Sequence, residues 1–153
     1  MQENIDNKQY IFASIFILAN RLQTACEKIQ KDITMKQRLM LALISKTDSK
    51  QNLSDIGKVM GCSRQNVKKL ARPLQEKGYI EFVKGNNNSL NIITTDKFEQ
   101  YSKSMANRHS KSLELLFEEF SNEELINMDK YFDKFFLTIE NVEAYGEEIN
   151  ERQ

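Results

Sequence analysis

Turn-forming residues are scarce in this sequence: one Pro and five Gly among 153 residues. So few chain-reversing positions exclude a fold of many short strands and point to a mostly helical protein. Only two cysteines are present, Cys26 and Cys62, which is too few for a secreted disulfide scaffold and lacks metal-ligand spacing. A reducing, cytoplasmic setting is therefore expected. His109 is the single histidine and has no second His and no Cys cluster to join in holding a metal or moving a proton. There is no glycine-rich phosphate loop and no nucleophile paired with a base, so neither an enzyme nor a cofactor is expected. The longest apolar run, Tyr10 to Ala19, is too short to span a bilayer and has no cationic segment before it. Neither targeting nor membrane insertion is expected.

A net charge of zero conceals an uneven distribution. Residues 50–97 carry nine Lys and Arg against four Asp and Glu, whereas residues 98–153 carry six against thirteen. A local positive surface is what a nucleic-acid reader requires, and an acidic remainder limits indiscriminate adhesion to other polyanions.

The basic third contains the stretch Leu53 to Ile80, which reads as two short helices, a tight turn between them and a strand behind. Ser54 is expected to cap the first helix, with Ile56, Val59 and Met60 on its inner face. Gly61 falls where the chain must leave that helix, and Ser63 caps the second. In the second helix Val67, Leu70 and Leu74 recur at spacings of three and four. Arg64, Gln65, Lys68, Lys69 and Arg72 are turned to other faces, with Asn66 beside them in the opening turns. A helix-turn-helix offers such a face to the major groove of double-stranded DNA, cations to phosphates and amides or guanidinium groups to base edges. Pro73 should kink this helix or end it early. Tyr79–Lys84 and Leu90–Thr94 alternate as strands around the turn Gly85–Ser89, giving a two-stranded hairpin that must pack on the helices. Helix-turn-helix plus hairpin is a winged helix. Lys84, Asn86 and Asn87 stand at its tip, where they can meet a phosphate or minor-groove acceptors.

Amphipathic helices flank this region. Ile11, Ile15, Leu18 and Leu22 form a near-heptad seam in the first helix. Thr34 with Gln37 makes a capping box for the next helix, whose buried face is expected from Leu39, Met40, Leu43 and Ile44, followed by a polar loop from Lys46 to Asn52. Thr94 or Thr95 can cap a long helix from Asp96 with a polar middle, Ala106–Ser112. Ser121 and Glu124 form a second capping box. Beyond it Leu125, Met128, Phe132, Phe135, Ile139 and Val142 repeat at three and four. Seams outside the winged helix on both sides are expected to form a homodimer interface, with Ile11, Ile15, Leu18, Leu22, Phe132, Phe135, Ile139 and Val142 at its centre.

Taken in order, these elements resemble the MarR family of bacterial transcription regulators over nearly the whole chain. The residues that carry the resemblance are Thr34, Gln37 and Leu41; Leu53-Ser54-Asp55-Ile56; Met60 to Val67; Leu74 to Ile80; and Ser121 to Leu125. The resemblance implies a mainly α fold: a winged helix-turn-helix with a two-stranded β wing, and a dimerisation region in which N- and C-terminal helices interlock. The boundaries read as 8–33 for the N-terminal dimerisation helix, 34–95 for the DNA-binding domain and 96–148 for the C-terminal dimerisation helices, one intertwined domain overall. It further implies a homodimer that binds a palindromic duplex, with Ser54, Ser63 to Asn66, Lys68, Lys69, Arg72 and the wing as the DNA-binding set. A repressor released by a small-molecule effector or an oxidant is the regulatory expectation. Many members place an Asp and one or more Arg in the wing, whereas Gly85–Ser89 has neither. That departure leaves a second reading, a winged-helix dimer acting as a protein-interaction module with weak or no DNA binding. Cys26 and Cys62 are the candidate redox residues, with small packing roles the favoured expectation for both.

Overall fold

A computed structural model describes residues 6–46 and 51–152, with Asn88 described by its backbone alone. The helices are α1 (Asn7–Ile29), α2 (Met35–Ser45), α3 (Leu53–Met60), α4 (Arg64–Glu76), α5 (Asp96–Phe117) and α6 (Asn122–Glu151). The strands are β1 (Gln51–Asn52), β2 (Ile80–Lys84) and β3 (Leu90–Thr94), with a single 3-10 turn at Asn86–Asn88. The chain divides into two compact units, Met1–Ser110 and Lys111–Gln153.

Local chemistry accounts for the helix ends. Thr34 and Gln37 form the expected reciprocal capping box at α2, and Ser121 and Glu124 form the other at α6. Ser63 Oγ accepts from the Asn66 amide at 3.2 Å and starts α4. Thr95 Oγ1 accepts from Phe98 N at 3.4 Å at the start of α5. Ser54 is not a cap: the cap is Asn52, two residues earlier, whose Oδ1 accepts from the amides of Ser54 and Asp55, both at 2.9 Å. Asn52 is as good a capping residue as Ser, and its position lets one oxygen satisfy two free amides.

Gly61 has left-handed angles, φ 65°, and closes α3 with two reverse hydrogen bonds, Cys62 N to Gly57 O at 2.9 Å and Gly61 N to Lys58 O at 3.3 Å. The same paired closure ends α4 at Gly78, φ 75°, through Tyr79 N to Leu74 O and Gly78 N to Gln75 O. Pro73 neither ends α4 nor interrupts it, since the helix runs on to Glu76. Lys77 N donates to the Pro73 carbonyl at 3.1 Å, so the ring removes one donor while its own carbonyl stays in the helical ladder.

The sheet has three strands where two were expected. β1 pairs with β3 antiparallel, in the order β1-β3-β2, which places buried Ile92 opposite both Gln51 and Phe82. Gln51 and Asn52 therefore belong to the sheet rather than to a polar loop; residues 47–50 of that loop lie outside the described residues. A third strand widens the base of the hairpin and buries one face of β3 against α2 and α3.

The core lies between α2, α3, α4 and the sheet, with Met40, Leu41, Ile56, Val67, Leu74 and Ile92 fully enclosed. Two residues expected there are exposed, Leu39 and Val59. In α3 the inward face is Leu53, Ile56 and Gly57, and in α2 it includes Gln37 and Leu41. The helical period was right and its phase was off by about one residue. Gln37, though polar, is buried with both amide atoms used: Oε1 accepts from Thr34 N at 2.9 Å and Nε2 donates to the Leu70 carbonyl at 3.1 Å, tying α2 to α4.

The turn between α1 and α2 is fastened to the winged helix. Asp32 holds a left-handed φ of 65°, its carboxylate accepts from the Tyr79 hydroxyl at 3.3 Å, and its carbonyl accepts from Lys77 Nζ. The Tyr101 hydroxyl donates to the Lys31 carbonyl. Burial, followed by the Asp32 carboxylate, pushes the Tyr79 phenol above its usual pKa and keeps it a donor.

Candidate nucleic-acid interface

α4 is held from behind. Val67, Ala71 and Leu74 are fully buried, which fixes the rotation of the helix about its axis. Arg64, Gln65, Asn66, Lys68, Lys69 and Arg72 are all exposed as a result. Gln65, Lys68, Lys69 and Arg72 line a shallow groove along the outer surface. Among the described residues the ion pairs are Lys111–Glu114 and Arg152–Glu148, so no acidic side chain neutralises the cations of α4. The face is positive and open to a polyanion.

The rest of the predicted set divides. Ser63 is exposed with its oxygen engaged by the Asn66 amide, so its hydroxyl proton stays available to an external acceptor. Ser54 is exposed in the first turn of α3, where it is free of capping duty. Lys84, Asn86 and Asn87 are exposed on the hairpin, apart from the α4 face in sequence and element. Asn87 occupies the left-handed region, φ 54°, where Asn is one of the few tolerant residues. The tip is tight: Gly85 N bonds the Ser89 carbonyl at 2.8 Å, and a Cβ at Gly85 would displace the side chains of Ser89 and Asn91.

Two positions that shape this surface, Gly57 and Asn52, were not picked out from the sequence, and a third, Gln37, was read there only as a capping residue. Gly57 is buried where α3 meets the turn into α4, and a Cβ there would lie 2.6 Å from the Cys62 carbonyl oxygen. Asn52 caps α3 and donates from Nδ2 to Asp55 Oδ2 at 2.5 Å. Gln37 holds the middle of α4 through Leu70. Asn-Leu-Ser-Asp contained the signal for Asn52, as a capping residue three before an acid; close backbone approach at Gly57 leaves no such trace.

Away from α4, Cys26 lines a mostly apolar cleft with Ala19, Leu22, Met35, Lys36 and Leu39. Cys62 packs against the core at the turn before α4. His109 meets Gln30 Nε2 at 3.2 Å through its own Nε2, and burial, then the nearby Arg38 cation, holds its pKa below the ordinary value. Among the described residues no three His, Cys, Asp or Glu side chains are grouped to hold a metal, and no helix is long and apolar enough to cross a membrane.

The apolar seams lie in the open. α1 and α6 contain no buried residue: Ile11, Leu18, Phe132, Phe135, Ile139 and Val142 are each more than two-fifths exposed, with Ile15 and Leu22 only slightly less so.

No protein-family model matches the sequence, and no curated protein is similar to it. Solved structures are similar in fold. A MarR/EmrR family transcriptional regulator from Acinetobacter sp. ADP1 superposes with a TM-score of 0.79 at 20% identity, over 90% of this chain and 99% of the other. A MarR transcriptional regulator from Methanosarcina mazei Go1 gives 0.77 at 17% identity, over 88% and 99%. FabT of Streptococcus pneumoniae, solved in complex with DNA, gives 0.66 at 21% identity, over 89% and 99%. The chain has the winged-helix fold of the MarR-family transcriptional regulators.

Proposed function

We propose that this chain, with the fold of the MarR-family regulators, is a homodimeric transcriptional repressor that binds a palindromic duplex operator in the cytoplasm. The observation that carries the reading is the outer face of α4, with Arg64, Gln65, Lys68, Lys69 and Arg72 exposed and unpaired on a helix whose inner face is locked into the core. The helix can enter a major groove, its cations displacing counterions from phosphates. Ser54, Ser63, Asn66, Lys84, Asn86 and Asn87 complete the surface, with the wing reaching the adjacent groove or backbone.

A second copy of the chain covers the seams of α1 and of α6. Apolar side chains so regularly spaced and so exposed are costly in water, at about 25 cal/mol per Å². Two copies would present two α4 helices to half-sites about 34 Å apart, one helical turn of DNA. The regulatory signal in this reading is a small-molecule effector or an oxidant.

The test is titration of a randomised-core duplex library and of the chain's own upstream region, at two salt concentrations. The affinity should fall steeply with salt. Replacing Arg64 and Lys69 together with Ala should weaken binding about 10- to 100-fold and make it less dependent on salt. Unchanged binding by the double variant, or none by the parent, sinks the reading. The latter result would favour the protein-interaction module, for which the wing tip without Arg is the supporting observation.

A further inference from the structure

We propose that α4 reads sequence through a single ridge, Gln65, Lys69 and Arg72, while Arg64 and Lys68 hold the DNA backbone; this deepens the DNA-binding reading above and rests on it. The inward direction of α4 is fixed by Val67, Ala71 and Leu74, all fully buried. At about 100° per residue, the positions opposite those three are 65, 69 and 72, spaced by four and three. Arg64 and Lys68 project from the flank of the helix, roughly a quarter-turn away. A helix nearly fills the width of a major groove, about 12 Å. Residues pointing straight down therefore meet base edges, and residues on the flank meet the phosphate wall.

The chemistry of the ridge selects its bases. The Gln65 amide can bond an adenine at N6 and N7 together, the Lys69 ammonium suits O6 and N7 of guanine, and the Arg72 guanidinium can fork onto a second guanine. The seven steps from Gln65 to Arg72, at about 1.5 Å each, cover about 10 Å, roughly three base pairs. The ridge continues to Glu76, an exposed carboxylate. Its charge repels phosphate and ends the cationic track near Arg72. The ligand is thus a duplex whose half-site core, about three or four base pairs long, contains an adenine near one or two guanines.

Selection of bound duplexes from a randomised-core library, with the purified full chain and three variants, tests the partition. All the altered side chains are exposed on a helix, so the variants should keep the parent's melting temperature. The parent should enrich half-sites with the adenine and guanine pattern. Gln65→Ala should lose the adenine preference at one position per half-site, a fall in discrimination of about 5- to 100-fold. Lys69→Gln should change a preferred guanine to adenine. Lys68→Ala should weaken every sequence evenly, leave the preferences in place and lower the salt slope by about one. Preferences identical to the parent's in both Gln65→Ala and Lys69→Gln, or altered by Lys68→Ala, overturn the partition while leaving DNA binding intact. Failure of the parent to enrich any duplex overturns the DNA-binding reading itself.

Discussion

Val67 and Phe135 occupy the same kind of position, an apolar site in a repeat of threes and fours, yet Val67 is fully buried and Phe135 is 45% exposed. The winged helix finds partners for its apolar faces within the chain: α2, α3, α4 and the sheet enclose one core. α1 and α6 carry seams at least as regular and enclose nothing. An intact heptad pattern therefore shows that a face must be covered, and leaves open by what. In one region the cover is intramolecular; in the other we propose that it is a second copy.

That contrast can be broken experimentally. The largest effect is expected from Phe135→Asp, which puts a charge in the middle of the α6 seam. Dimer association should fall by at least about 30-fold, measured by sedimentation equilibrium, if the seam is an interface hot spot. Undiminished association would mean that the seam is not the interface. Next is Leu41→Ala in the closed core, which should cost about 2–5 kcal/mol of stability in denaturant titration, because the surrounding helices cannot collapse into the space. Gly57→Ala should cost less, about 1–3 kcal/mol, as the new methyl forces the Cys62 carbonyl away and shifts α3 against α4.

The smallest effect concerns pH. His109 has a folded pKa below its ordinary 6.5, chiefly through burial and then through Arg38, so on acidification the unfolded chain takes up the proton first. Stability should be intact above that ordinary value and decline as pH falls from it through the folded value. The groups that face it include Gln30, whose amide bonds the ring, and the Arg38 cation. His109→Gln should flatten the decline in melting temperature as the pH falls below about 6.5. An unchanged slope would place the titration elsewhere.

Much of the winged helix was legible before the structure was known, for identifiable reasons. Caps at Thr34, Ser63 and Ser121 are local chemistry within four residues, and all three form as expected. Gly61 announced a left-handed exit from α3 and provides one. The phases of α2 and α3 were less legible. Leu39 and Val59 are as apolar as their buried neighbours, and only the placement of the neighbouring helices decides which are enclosed. β1 was illegible, because two polar residues carry no alternation, and their pairing depends on a strand forty positions away. Of the candidate interface, the exposed side chains of α4 could be read from periodicity, but the supports behind them, Gln37 and Gly57, could not.

What the sequence determined by itself is therefore the helices and the hairpin strands, the caps at Thr34, Ser63 and Ser121, the exit at Gly61 and the outward residues of α4. Each depends on interactions within a turn or two of helix, where spacing is enough to decide the geometry. Tertiary structure alone decided the burial of Gln37 against Leu70, the 2.6 Å approach that excludes a side chain at Gly57, and the third strand. It also left the seams of α1 and α6 without cover in this chain. These depend on which distant surfaces meet, and periodicity within one helix carries no information about its neighbour.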